Sequence, residues 1–126
     1  MLRTVLLIGS GGFIGSVLRY FIQLYFEKGL SSTFPWGTLI ANITGSLLIG
    51  IFLGLADKGN YLNSEWRMFL VLGFCGGYTT FSSFAYSNFT MLEQKAFSSL
   101  LFNIGGNLIL GILAVYLGIF LIRLIP

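Results

Sequence analysis

Histidine is absent from this 126-residue chain, cysteine occurs once, and only 9% of residues are charged. Without histidine, the commonest metal ligand and the usual general base at neutral pH are both missing. The lone Cys75 excludes an intramolecular disulfide framework. Acids are few: Glu27, Asp57, Glu65 and Glu93 are the full set, and none falls inside a long apolar run. A soluble domain carries about 25% charged residues, so water is not the main solvent of this chain. The net charge of +3 is spread thinly, with no basic patch of the kind that holds nucleic acid. Together these absences weigh against an enzyme.

What is present is apolar: 56% of the residues are hydrophobic. A bilayer core needs about 20 mostly apolar helical residues, and four stretches qualify, at Val5–Phe26, Pro35–Ala56, Trp66–Leu92 and Phe97–Leu124. The separators, Glu27–Thr33, Asp57–Glu65 and Glu93–Lys95, hold most of the charge. Pro35 suits a first helical turn, where its missing N–H is not needed. Trp36 and Trp66 stand at span ends, as an interfacial aromatic belt requires. Met1-Leu2-Arg3 before an apolar run resembles a signal peptide, but the run from Thr4 to Phe26 is too long and lacks a small-residue cleavage pattern, so a retained first span is expected. The length allows one four-helix membrane domain over 1–126 and no separate soluble module.

Cationic residues in the flanks normally set orientation. The face with both termini and the second connection carries four, Arg3, Lys58, Arg67 and Arg123; the opposite face carries Lys28 and Lys95, with Arg19 as a third. Four against three is almost no bias. It fits insertion both ways, giving an antiparallel homodimer, and it equally fits one orientation set by the four-residue face. Among 17 glycines, Gly11 with Gly15 and Gly50 with Gly54 have the spacing that lets helices approach closely. Gly9-Ser-Gly11-Gly-Phe-Ile lacks the third glycine of a dinucleotide loop, and Gly76-Gly77-Tyr-Thr-Thr lacks the Gly-Lys of a phosphate loop.

The most informative stretch is Gly73-Phe-Cys-Gly-Gly-Tyr-Thr-Thr-Phe-Ser-Ser-Phe84, near the middle of the third span. Paired glycines and consecutive hydroxyl residues weaken a helix through backbone entropy and competition for backbone groups. A break at membrane depth survives where it is buried in protein or lines a watery cavity, and it frees backbone groups to meet an ion. The milder outcome is a glycine kink whose hydroxyls bond back to their own helix; the break is the preferred expectation. Phe81, Phe84 and Asn88 share one helical face. Aromatic side chains in a bilayer usually pack or face lipid, yet ring edges are electropositive, and beside this polar run two of them can face a partly dehydrated anion.

Further polar residues lie at depth: Thr38 and Asn42, four apart on the second span, and Asn103 and Asn107, four apart on the fourth. A buried amide costs free energy unless bonded, and bonds between helices account for one or two of these. Arg19 has no acid at depth to meet, and an intramembrane arginine marks a watery cavity or a partner. Arginine with amides and hydroxyls makes a path for an anion. Burying a bare ion costs tens of kcal/mol, whereas each hydrogen bond to a charged group returns about 1.5–3 kcal/mol. Watery vestibules must therefore shorten the dry stretch.

Gly11-Gly12, Gly15, Arg19-Tyr20, Pro35-Trp36-Gly37-Thr38, Asn42, Gly45 and the run 73–84 together resemble the Fluc (CrcB-like) fluoride channels, over the whole chain. The resemblance implies an all-α membrane protein of four transmembrane helices with the third broken near its middle, assembled as an antiparallel dual-topology homodimer with two fluoride pores. It implies that Phe81, Phe84, Asn42, Thr38, Ser82, Ser83, Arg19 and Asn107 serve the fluoride path. It implies a structural sodium ion at the dimer centre, held by the backbone carbonyls of Gly76 and Thr79. The family commonly has hydroxyls along the fourth helix, where this chain has Asn103 and Asn107.

The expected function is passive, fluoride-selective export across the cell membrane, the inner membrane of a bacterium. Fluoride enters acid-exposed cells as neutral HF, dissociates and is trapped; a pore lets the anion leave down its gradient and the inside-negative potential. The chief rival is a small proton-coupled multidrug or cation exporter, which needs a titratable carboxylate at depth. A non-conducting structural subunit is a third class, and pure packing calls for no such polar series.

Overall fold

The computed structural model describes residues 1–29, 34–59 and 61–126, so parts of the first and second separators, at 30–33 and 60, lie outside the described residues. Among the described residues the secondary structure is helical throughout. Helix α1 spans Leu2–Gly29 and α2 spans Trp36–Asp57. The third span, Ser64–Glu93, is composite: α3 (Ser64–Arg67), a π-helical stretch (Met68–Cys75), α4 (Gly76–Tyr78) and α5 (Phe81–Glu93). The fourth, Phe97–Arg123, joins α6 (Phe97–Gly105), a π-helical turn (Gly106–Leu110) and α7 (Gly111–Arg123). All four spans are long and apolar enough to cross a membrane.

The first and third helices outrun their apolar stretches, because hydropathy marks the bilayer and capping marks the helix. Asn63 starts α3 by accepting the Trp66 N–H at 2.9 Å, a cap worth about 1 kcal/mol. The end of α5 is closed by two bonds, Lys95 N–H to the Leu92 carbonyl at 3.1 Å and Ala96 N–H to the Met91 carbonyl at 2.9 Å. This is a Schellman turn, and it places Lys95 in the left-handed region at φ 57°.

At one end of the bundle Arg3 meets Glu65 at 3.0 Å, Lys58 donates to the Ile125 carbonyl and Tyr61 to the Pro126 carbonyl at 3.3 Å. Both termini and the second connection therefore share a face. Close approach needs glycine at particular places: a Cβ on Gly15 would strike the Phe74 backbone, and one on Gly50 the Val115 carbonyl. The first contact seats α1 on the third span, the second seats α2 on α7.

The distribution of side chains is that of a lipid-embedded protein. Phe13, Phe21, Leu101, Ile109, Leu113 and Tyr116 are exposed on the single chain, while Thr38, Thr80 and Asn103 are buried. In lipid no hydrophobic force drives helices together, so small residues and polar bonds take over at the contacts.

Candidate functional site

The third span changes conformation at two residues. Thr79 (φ −84°, ψ 157°) and Thr80 (φ −147°, ψ 124°) are extended, between the end of α4 at Tyr78 and the start of α5 at Phe81. Replacement partners hold the displaced backbone. Thr80 N–H, whose helical acceptor would be the Gly76 carbonyl, donates instead to Asn42 Oδ1 at 2.8 Å. Asn42 Nδ2 donates to the Thr80 carbonyl at 3.2 Å. Thr80 Oγ1 accepts the Ser83 N–H at 3.2 Å and so caps α5. That bond takes the N–H a helix would have offered to the Thr79 carbonyl. Thr79 Oγ1 turns back to the Cys75 carbonyl at 2.8 Å.

Beside this point lies an open groove of about 290 Å³, lined by Asn42, Thr79, Thr80, Phe81, Phe84 and Asn107, with Ser46, Ile49 and Leu108 completing it. The Phe81 and Phe84 rings lie 5.8 Å apart, tilted by 50°. Phe81 is 78% exposed on the single chain, standing at the groove's mouth. The N-terminus of α5 reaches the groove at Phe81, and the unpaired N–H groups of a helix start favour an anion. The groove lining contains no charged side chain.

Four of the eight residues expected on the fluoride path, Asn42, Phe81, Phe84 and Asn107, meet in one place beside Thr79, though Asn42 is already committed. Its two amide hydrogens go to the Thr80 carbonyl and to Asn107 Oδ1 at 2.9 Å. It positions the Thr79–Thr80 segment, and its amide can donate elsewhere only by releasing one of these bonds. Ser82 and Ser83 are outside the groove lining, each with its hydroxyl 3.3 Å from Thr80 Oγ1. Thr38 is 6% exposed, away from the groove, where it accepts from Gln23 Nε2 at 3.2 Å. Arg19 is half-buried on α1 and also outside the lining, and no acceptor meets it among the described residues.

Asn103 is fully buried, accepting from Asn107 Nδ2 at 3.0 Å and donating to Asn88 Oδ1 at 2.7 Å. Asn107 Nδ2 also reaches the Asn103 backbone carbonyl at 2.8 Å, taking an acceptor that the helical ladder would use. A π turn over Gly106–Leu110 includes Asn107 itself. The sequence pointed to Asn103 and Asn107 as a pair but carried no sign of the Asn88 contact, or of Tyr78, whose hydroxyl lies 2.7 Å from Thr44 Oγ1. Spacing along one helix does not report partners on another.

Gly76 is exposed, in ordinary helical conformation (φ −62°, ψ −36°), and a Cβ added there would come no closer than 4.0 Å to a neighbour outside its own turn. With the helical donors to Gly76 and Thr79 diverted, two neutral carbonyl oxygens are left for other partners. Oxygen donors of this kind suit a hard cation. Among the described residues no cluster of three His, Cys, Asp or Glu is present to hold a softer metal.

These features define a multi-pass helical membrane protein with a polar groove beside the extended Thr79–Thr80 pair. The chain belongs to the CrcB-like protein family, also described as Camphor Resistance (CrcB), whose model matches residues 6–119. It is 45% identical over 121 residues to "Fluoride-specific ion channel FluC" of Nitrobacter winogradskyi, covering 96% of each chain. It is 40% identical to the protein of that name from Leptospira interrogans, covering 96% of this chain and 95% of the other. For the namesake from Flavobacterium psychrophilum the identity is 38%, covering 97% and 98%.

Proposed function

We propose that this chain is a passive fluoride channel of the bacterial inner membrane, not an enzyme, and that it lowers fluoride toxicity by letting the cytoplasmic ion out. The observation that carries the reading is the groove itself: amide, hydroxyl and helix-terminus donors face two phenylalanine rings, with no carboxylate in the lining. The relatives' names point the same way. A proton-coupled exporter would need the acid that the groove lacks.

Fluoride is compact and strongly hydrated, so a narrow path must replace much of its water shell with donors. Positive Phe81 and Phe84 ring edges, the start of α5 and an N–H released by Asn42 or Asn107 supply them. Charge-assisted bonds of this sort return about 1.5–3 kcal/mol each, enough for a short constriction between watery vestibules. Arg19 and Thr38, outside the groove, serve the approach to it. Ser82 and Ser83 act through Thr80, which both touch. A larger halide would lose these contacts together.

The finer assembly belongs to the same proposal. The third helix is functionally broken at Thr79–Thr80, and two antiparallel copies close the grooves that a single chain leaves open. The exposure of Phe81 and Gly76 supports this, as does the near-balanced distribution of cationic residues. The Gly76 and Thr79 carbonyls of both copies would hold a sodium ion, whose charge would bind the two interrupted spans together.

The test is fluoride-electrode efflux from proteoliposomes, with chloride as the competing anion. Rapid fluoride loss without comparable chloride loss is expected. Sealed vesicles that retain their fluoride would refute the proposal.

A further inference from the structure

Four asparagines form one hydrogen-bonded file through the subunit, and the backbone fixes its direction. Thr80 N–H can only donate, so the Asn42 atom 2.8 Å from it is Oδ1, and Asn42 turns Nδ2 to Asn107 at 2.9 Å. The Asn103 backbone carbonyl can only accept, so the Asn107 atom 2.8 Å from it is Nδ2, which also meets Asn103 Oδ1 at 3.0 Å. Asn103 then has Nδ2 left for Asn88, whose Oδ1 accepts it at 2.7 Å. Amide orientation is ambiguous for an isolated asparagine; here a backbone donor at one end and a backbone acceptor midway dictate it. Every link donates in the same sense, and the file ends at Asn88.

The last amide is unlike the other three. Asn88 accepts through Oδ1, and its Nδ2 has no acceptor among the described residues. No fully buried side-chain nitrogen or oxygen is left unpartnered, so these two N–H groups open to the accessible side of α5, where Asn88 is half-buried. Aligned amides polarise one another and leave the positive end of the file there. Asn88 also continues the face of Phe81 and Phe84, about 6 Å beyond Phe84 along the axis at 1.5 Å per residue. The one acid of α5, Glu93, lies at the far end of that helix.

We propose that Asn88 Nδ2 is a second station for the anion, a two-hydrogen donor site outside the groove on the Phe81–Phe84–Asn88 face. This rests on the fluoride reading above. Two stations a turn or so apart let an ion at one weaken the hold on the next, which permits both entry and exit. The chain's amides at 103 and 107 then matter for conduction through the orientation they impose on Asn88.

The test compares wild type, Asn88→Asp and Asn88→Gln in the proteoliposome assay, with elution profile and thermal melting alongside. Asn88→Asp keeps the oxygen that Asn103 needs but removes both outward N–H groups and adds a negative charge. Asn88→Gln keeps an amide. Inactive wild type would defeat the fluoride reading itself. With wild type active, at least a tenfold loss of efflux in Asn88→Asp at unchanged melting, and retention of a third or more in Asn88→Gln, are expected. Normal efflux in Asn88→Asp, or equal losses in both variants, overturns the proposal. If Asn88→Asp does not elute as wild type does, Asn88→Ser decides: a threefold or greater rise in half-saturating fluoride supports the station, and an unchanged value overturns it.

Discussion

Asn42 grips both backbone polar groups of Thr80, accepting its N–H at 2.8 Å and donating to its carbonyl at 3.2 Å. One side chain thus stands in for the helical ladder at the residue where the third span turns extended. Asn42→Asp keeps the acceptor, loses both donations and puts a negative charge on the proposed anion path. Fluoride efflux should fall to the level of empty liposomes. Asn42→Leu leaves both Thr80 groups unpaired and should lower stability by about 2–6 kcal/mol, since each unsatisfied group costs about 1–3 kcal/mol. Denaturation in mild detergent reads the second effect, and normal efflux from the Asp variant would remove Asn42 from the pathway.

Phe81 and Phe84 separate conduction from folding. Phe81 is largely exposed on the single chain, so Phe81→Ile removes a ring edge but little that its own subunit buries. Efflux should drop at least tenfold while melting of the detergent-solubilised protein stays within a few degrees of wild type. Efflux at the wild-type rate would show that the ring edges do not meet fluoride.

Gly15 and Gly50 act on packing. A methyl group at either would collide with the backbone of the facing helix, which cannot move aside as a flexible side chain does. Gly15→Ala and Gly50→Ala should each cost about 1–3 kcal/mol, the usual penalty of overpacking. Gly9→Ala, with open space around it, is the control and should be neutral.

Lys95 sits where a Schellman turn favours glycine, at φ 57°. Lys95→Gly relieves that conformation and should stabilise the folded state by up to about 1 kcal/mol. Thermal melting in detergent checks it, and a lower melting temperature would mean that the lysine side chain contributes more than its backbone costs.

Sodium and topology have separate tests. Replacing sodium by a bulky organic cation throughout purification should abolish efflux and lower the melting temperature; unchanged melting would argue against a structural ion. Gln94→Cys places a thiol on the exposed third connection without altering the cationic balance, and the native Cys75 is buried. An impermeant maleimide should label about half of the Gln94→Cys copies in intact spheroplasts, because dual insertion puts half of them on each side. Labelling of all or none would establish a single orientation.

Much of this was legible in the residues. Four apolar stretches became four spans, each within a few residues of its expected ends, because bilayer thickness imposes a length that hydropathy reports. The run from Gly73 to Phe84 stood out through glycines and hydroxyls in a greasy surround, and Thr79 and Thr80 within it are extended. Contacts between helices were hidden. Nothing in the spacing of Thr38 shows that Gln23 claims it, and Asn88 gave no sign of receiving Asn103. The π stretches were equally silent, since hydropathy and spacing do not distinguish a π turn from an α turn.

Gly76 has a conformation that any residue could adopt and open space where a methyl group would go. Its own subunit supplies no reason for a glycine. An alanine there should leave the lone chain untroubled and, in the antiparallel pair proposed above, would register only at the contact between the two copies.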